Sequence, residues 1–256
     1  MVDIYTRTIN KKLRGEKSMT NIFRKYTAVI TATLCIILTG CNLDSLVKSD
    51  SQSEKILAPT SADVSPNMDF NKISSVAVFP LFPGSGIIGQ GLQSYEDPKY
   101  AESVVQALSA ELNTKQSQWK IRSPGDVLDT INKKSLGRGY KNLQADYNTS
   151  SGQLASFTAE TQRFLKSLAS AMKVDAFVFG NYQVASGTVM AKNAWGLVTK
   201  QNLTRSKVNV ALYYAKEKTI WWRATSDIQG TSSGAVANNI AKSLASHVGK
   251  GTLRQL

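Results

Sequence analysis

A run of 13 mostly apolar residues, Tyr26 to Leu38, divides this chain into a part that can fold and a part that is removed. Crossing a bilayer core takes roughly 20 apolar residues, so the run is too short to serve as a permanent span. Arg24 and Lys25 stand just before it, Lys17 a little upstream, and the small residues Thr39 and Gly40 just after it. A basic lead, a short apolar stretch and small residues before a cut is the layout of a secretory signal peptide. Met19 opens MTNIFRK, a typical signal lead, so residues 1–18 read as a mis-called upstream start.

The residue after the cut is a cysteine. Leu38-Thr39-Gly40-Cys41 resembles the bacterial lipobox, in which the cysteine thiol receives a lipid and the chain is cleaved before it. The resemblance implies an anchor at Cys41, with Leu38, Thr39 and Gly40 as the recognition residues. One acyl chain holds a protein to a membrane only marginally, at about 0.8 kcal/mol per buried methylene, whereas several hold it firmly. Asn42 implies the outer membrane, because an aspartate after the lipidated cysteine is the usual retention signal. The expected location is therefore the outer membrane, lipid-anchored and facing the periplasm.

Cleavage before Cys41 removes seven of the 31 Lys/Arg and two of the 18 Asp/Glu, leaving 24 against 16, a net charge of +8. A basic head of this kind suits lipid headgroups, a polyanionic envelope polymer or an acidic protein face. Nucleic acid is not an expected partner for an exported protein. Cys35 leaves with the leader and Cys41 is taken by lipid, so no thiol remains for a disulfide or a metal.

Residues 41–72 read as a lipidated, flexible tether, since SDSQSEKILAPTSADVSPN has few large apolar residues. Residues 73–256 read as one periplasmic α/β domain. Ser75 to Leu81 suits a buried strand, Pro98 to Lys115 a helix, Trp119 to Arg122 a second strand, and Ser123-Pro124-Gly125-Asp126 a capped helix start. Residues 133–153 read as a polar loop, Leu154 to Met172 as a helix, Asp175 to Val184 as a strand, and 185–203 as irregular. Ser206 to Tyr214 alternates, turns at Lys216-Glu217-Lys218 and pairs with Thr219 to Ser226, before a closing helix through Val236, Ile240, Leu244 and Val248. The fold class is α/β, a single mixed-sheet sandwich in the order β-α-β-α-α-β-β-β-α, with a C-terminal antiparallel hairpin and closing helix.

VAVFPL in the first strand, SPGDVLDTI after the second, VDAFVFGNY in the third and KVNVALYYAKEKTIWWRA with Trp222 resemble a known periplasmic domain. It is shared by the curli-secretion lipoprotein and the TolB amino-terminal domain. Outer-membrane lipoproteins that activate penicillin-binding proteins are similar as well. The resemblance spans roughly residues 74–248. It implies a non-enzymatic part of an envelope machine, and for the curli type a pore made by long amphipathic hairpins. Residues 185–203 lack clean alternation, so no such hairpin is expected here.

Gly84-Ser85-Gly86-Ile87-Ile88-Gly89 is a literal GxGxxG, but no helix is expected before Pro98, so it reads as a glycine loop and no cofactor is expected. His247 is the only histidine and has no cysteine or acid beside it, so neither a metal site nor a catalytic relay is expected. Glu96-Asp97 lie in a loop, and Asp126 and Asp129 near a helix start, where negative charge favours the dipole. The window between Asp175 and Glu217 holds no acid, whereas Lys192, Lys200, Arg205, Lys207 and Lys216 fall inside it with Tyr182 and Trp195. Lys133, Lys134, Arg138 and Lys141 form a second cluster with Tyr140. Trp195, Lys192, Lys200, Arg205 and Lys207 read either as a solvated basic surface or as a docking face for an acidic partner anchored by Trp195.

The expected function is a non-enzymatic binding or assembly subunit of a cell-envelope or secretion complex. The alternative is an activator of a peptidoglycan synthase. Its expected partners are the membrane, through Cys41, and a periplasmic or outer-membrane protein; homo-oligomerisation stays open. A periplasmic enzyme would require a polar cleft with perturbed titratable groups, and no motif marks one.

Overall fold

The computed structural model describes residues 55–86, 88, 91–149, 157–192 and 195–253. The leader, the Leu38–Cys41 tetrapeptide and residues 42–54 lie outside the described residues. All described residues belong to one compact unit, Gln52–Leu256. Its elements are β1 (Lys55–Val64), a 3-10 turn (Phe70–Lys72), β2 (Ser75–Val78), β3 (Phe82–Pro83), β4 (Gln93–Tyr95), α1 (Pro98–Lys115) and β5 (Lys120–Arg122). These are followed by α2 (Pro124–Lys133), α3 (Gly137–Thr149), α4 (Ala159–Met172), β6 (Ala176–Lys192), β7 (Val198–Tyr214), β8 (Thr219–Gly230), α5 (Ser233–Ser246) and β9 (Thr252–Leu253).

The strands form one mixed sheet in the order β5-β2-β6-β7-β8-β1-β9, with β3 and β4 also on β6. β2 pairs in parallel with β5 and β6, and β6, β7, β8 and β1 run antiparallel to one another in turn. This is the mixed-sheet α/β sandwich that the element pattern predicts. Residues Ala176 to Tyr182 are all buried, as expected of a central strand covered on both faces. The starts of β2 and β6 are tied through Asp175, whose Oδ2 accepts from the backbone and hydroxyl of both Ser74 and Ser75 at 2.8–3.0 Å. Burial pushes that carboxyl up, but these bonds outweigh it and hold it below the usual carboxylate range.

Period-2 alternation sends the strand side chains into two cores. On one face Val76, Val178, Val210, Leu212 and Trp222 pack under α1 and α5, with Val104, Leu108, Val236 and Ile240. On the other, Phe79, Phe177, Phe179 and Tyr213 pack under α2, α3 and α4, with Val127, Leu143, Tyr147, Phe164 and Leu168. Local caps set the helix starts: Asp97 accepts from Tyr100 N ahead of Pro98, and Ser123 and Asp126 form a reciprocal capping box.

Three stretches differ from the sequence reading. Residues 55–64, expected within the tether, form β1 and pair with β8 from Lys55↔Gln229 to Val64↔Trp222. The strand is hard to see because it is polar and interrupted: the register shifts around Pro59, which cannot donate to a ladder. Residues 133–153, expected as a loop, contain α3. Leu143 and Tyr147 make a narrow i,i+4 apolar stripe on an otherwise polar helix. Gly139 lets α3 lie close on α4, since a Cβ there would sit 2.5 Å from the Phe164 ring. Residues 185–203, expected as irregular, are mostly strand: β6 and β7 pair without a shift from Ala176↔Tyr214 to Lys192↔Val198.

Candidate functional site

The face of the sheet under α2, α3 and α4 changes character along its length. In β6 the inward residues run Phe177, Phe179, Asn181, Gln183; in β7 they run Tyr213, Ala211, Asn209, Lys207, Arg205. β8 adds Arg223, Thr225 and Asp227 to the same face, and β1 adds Asp63. Where helices cover the sheet the side chains are aromatic. Beyond the helices they are amides and charges, and all of these except Arg205 and Asp227 line a cleft of about 650 Å³ together with Asn148 and Ser85.

The amides form a directed ladder. Thr225 Oγ1 donates to Asn209 Oδ1 (2.6 Å), Asn209 Nδ2 to Asn181 Oδ1 (2.8 Å), Asn181 Nδ2 to Asn148 Oδ1 (3.1 Å), and Asn148 Nδ2 to the Pro83 carbonyl (2.9 Å). Asn181 is nearly buried, so its amide needs these partners. Each ladder amide uses one of its two N–H groups in this chain. Ion pairs flank the ladder. Arg223 Nε meets Asp63 Oδ2 at 3.0 Å, and Arg205 grips Asp227 through Nε (3.0 Å) and Nη2 (2.7 Å). The Asp227 bond raises the already high pKa of the Arg205 guanidinium further. Gln183 Nε2 donates to the Ser85 carbonyl, which holds the glycine loop after β3 against β6.

The five expected docking residues are separated by the same alternation. Arg205 and Lys207 lie on the cleft face, and the Arg205 charge is matched by Asp227. Lys192 and Lys200 lie on the opposite face of the β6–β7 hairpin, at its outer end near Trp195. The expected single patch is therefore two places. Sequence reasoning missed the ladder, although a signal exists: the F-x-F-x-N of β6 and the N-x-A-x-Y of β7 switch from aromatic to amide at paired positions, Asn181↔Asn209.

The other candidates are held by local hydrogen bonds, and His247 also lines the cleft. His247 caps α5, with Nδ1 2.8 Å from the Ser243 carbonyl, and its own carbonyl accepts from Trp222 Nε1 at 2.9 Å. Gly84 N donates to the Tyr182 carbonyl (2.8 Å), so the first glycines of the GxGxxG loop lie on β6, and the next helix begins at Pro98. Asp126 is held by the capping box at the start of α2, below the usual carboxylate range, by bonds from Ser123. Among the described residues no cluster of three His, Cys, Asp or Glu could hold a metal, and no helix is long and apolar enough to cross a membrane.

No family model and no curated protein matches the chain. Among solved structures, a PelC dodecamer from Paraburkholderia phytofirmans aligns at 12% identity and a TM-score of 0.40, covering 77% of this chain and 98% of that one. A PDZ domain protein from Parabacteroides distasonis aligns at 9% identity and a TM-score of 0.35, covering 76% of this chain and 36% of that one. At those values neither neighbour informs the function.

Proposed function

We propose that this chain is a lipid-anchored lipoprotein of the bacterial envelope, held at the outer membrane through Cys41, whose head is a non-enzymatic binding subunit of an envelope or secretion complex. The carrying observation is a signal-peptide layout ending in Leu38-Thr39-Gly40-Cys41, with the first described strand beginning at Lys55. The binding face in this reading is the polar cleft. Its spare amide N–H groups and Lys207 present donors and positive charge, which suits a protein partner bearing exposed carboxylates and backbone carbonyls. The hydrogen bonds within the ladder fix those donors before a partner arrives, so little side-chain order is lost on binding.

The distance to the membrane bears on which partner can be reached. Thirteen residues, 42–54, separate Cys41 from β1, and fully extended they span about 50 Å. The expected tether through residue 72 would reach about twice as far. A head held this close favours a partner at the membrane over one deep in the periplasm, and the effective concentration near such a partner is high.

The test is a photo-cross-linker placed at position 207 in intact cells. One discrete envelope protein should be captured, and capture should fall when Asn209→Asp puts a negative charge beside the ladder. Capture that is unchanged by Asn209→Asp, or no discrete adduct, would refute the cleft as the binding face. Capture of a peptidoglycan synthase would select the activator reading. Palmitate labelling that survives Cys41→Ser would remove the anchor.

A further inference from the structure

The outer end of the β6–β7 hairpin leaves the body of the sheet. β8 stops at Gly230, opposite Thr204, and β4 touches β6 only from Val184 to Ser186. Six further residue pairs, Gly187↔Leu203 to Lys192↔Val198, continue as two strands alone. At about 3.4 Å per residue they project roughly 20 Å. Of the seven exposed large hydrophobics among the described residues, four sit on this ribbon: Met190 (63% exposed), Trp195 (86%), Leu197 (64%) and Val198 (53%). Such concentration on one projection marks a surface that meets something apolar.

Charge narrows what that is. No acid occurs from 176 to 216, and Lys192 and Lys200 share the ribbon face with Met190 and Val198. Long basic side chains beside an exposed tryptophan suit a bilayer interface: the indole sits at headgroup level, and the lysine stems lie along apolar surface with their ammonium groups among phosphates.

Position narrows it further. β1 begins at Lys55, opposite Gln229, and Gln229 is opposite Arg205. The chain from Cys41 therefore enters the folded unit at the end of the sheet from which the ribbon projects. The ribbon extends beyond that entry, and the intervening residues span at most about 50 Å.

We propose that the tip of the β6–β7 ribbon, Trp195 with Leu197, Val198 and Met190, rests in the anionic interface of a phospholipid bilayer, Lys192 and Lys200 meeting the headgroups. This deepens the lipoprotein reading: the anchor and the tip touch one membrane, so the head is held in a defined orientation.

The native full chain carries its own reporter. Of its four tryptophans, Trp119, Trp221 and Trp222 are buried, so a quencher confined to acyl chains reaches Trp195 alone. The full-length protein is reconstituted in vesicles of phosphatidylethanolamine and phosphatidylglycerol with brominated acyl chains, with Trp195→Phe as the blank. The Trp195 emission, taken as wild type minus blank, should shift to the blue and lose at least half its intensity. Lys192→Glu with Lys200→Glu, or phosphatidylcholine in place of phosphatidylglycerol, should reverse most of that loss. A red, unquenched Trp195 in anionic vesicles overturns the proposal, as does cross-linking of position 195 to a protein without quenching. Quenching insensitive to lipid charge overturns the headgroup contact. Palmitate labelling at Cys41, read on the same sample, separates failure of the anchor from failure of the tip.

Discussion

The two ends of the β6–β7 hairpin are made of the same two strands in one unbroken register, yet they have opposite surroundings. At the root, Phe177, Phe179, Ala211 and Tyr213 are fully enclosed, and Phe179 is ringed by Phe79, Tyr147, Phe157 and Tyr213 at centroid distances of 5.3–6.3 Å. At the tip, Met190, Trp195 and Val198 are exposed. Backbone pairing alone does not decide what a strand's side chains meet; the elements laid over them do. A lone two-stranded ribbon is marginal in water, so here it is held by the buried root, and its own side chains can be spent on contact with something outside.

That contrast can be broken by substitution. The largest effect belongs to the root. Phe179→Ala removes a ring from the second core and should lower stability by about 3–5 kcal/mol, read as a fall in the denaturation midpoint. The middle of the hairpin comes next. Asn181→Ala removes the two bonds that Asn181 makes to Asn148 and Asn209, which border the open cleft where water can replace them, and should lower stability by about 0.5–1.5 kcal/mol. Asn181→Ala as harmless as a surface change would mean that the ladder adds nothing to the fold. The tip comes last: Met190→Ser and Trp195→Ala should each stay within about 0.5 kcal/mol of wild type in solution. A larger loss would make the ribbon part of the core after all.

A pH series sharpens the same picture at the anchored end of β6. The Asp175 carboxyl is depressed in the folded state, so its bonds stabilise the protein above the unfolded carboxylate value of about 3.9. That contribution is lost as pH falls through the lowered folded value. Denaturation of wild type and Asp175→Asn should differ by a constant amount near neutrality, with the gap closing only below about pH 4. A gap that closes between pH 5 and 7 would assign the depression to another group.

Much of this architecture is legible in the residues, and the exceptions share a cause. Buried strands and amphipathic helices declare themselves through apolar period, as VAVF, DAFVF and the Val104–Leu108–Leu112 face do. β1, α3 and the ribbon do not, because each is bounded on one side by the open cleft or by solvent. Their apolar content is halved: Ala62 and Val64 in β1, Leu143 and Tyr147 in α3, Val189 and Leu203 in the ribbon. The cleft itself depends on pairing between distant segments. Asp63 meets Arg223 across 160 positions through the β1–β8 register, and Asn148 on α3 meets Asn181 across 33 through the seating of that helix on the sheet. The charge-free-of-acid window was visible; that alternation divides its cations between two faces became visible only once the strands were paired.

The placement of β1 has a mechanical consequence. Its ladder with β8 runs crosswise to the strand, and its leading end is where the upstream chain arrives. If the upstream chain is fastened to a membrane as proposed, a pull on it acts on the leading end of β1 and loads the rungs from Ser61 to Val64 together, not one at a time. A head fastened this way resists drag as a whole, in the manner of a lap joint.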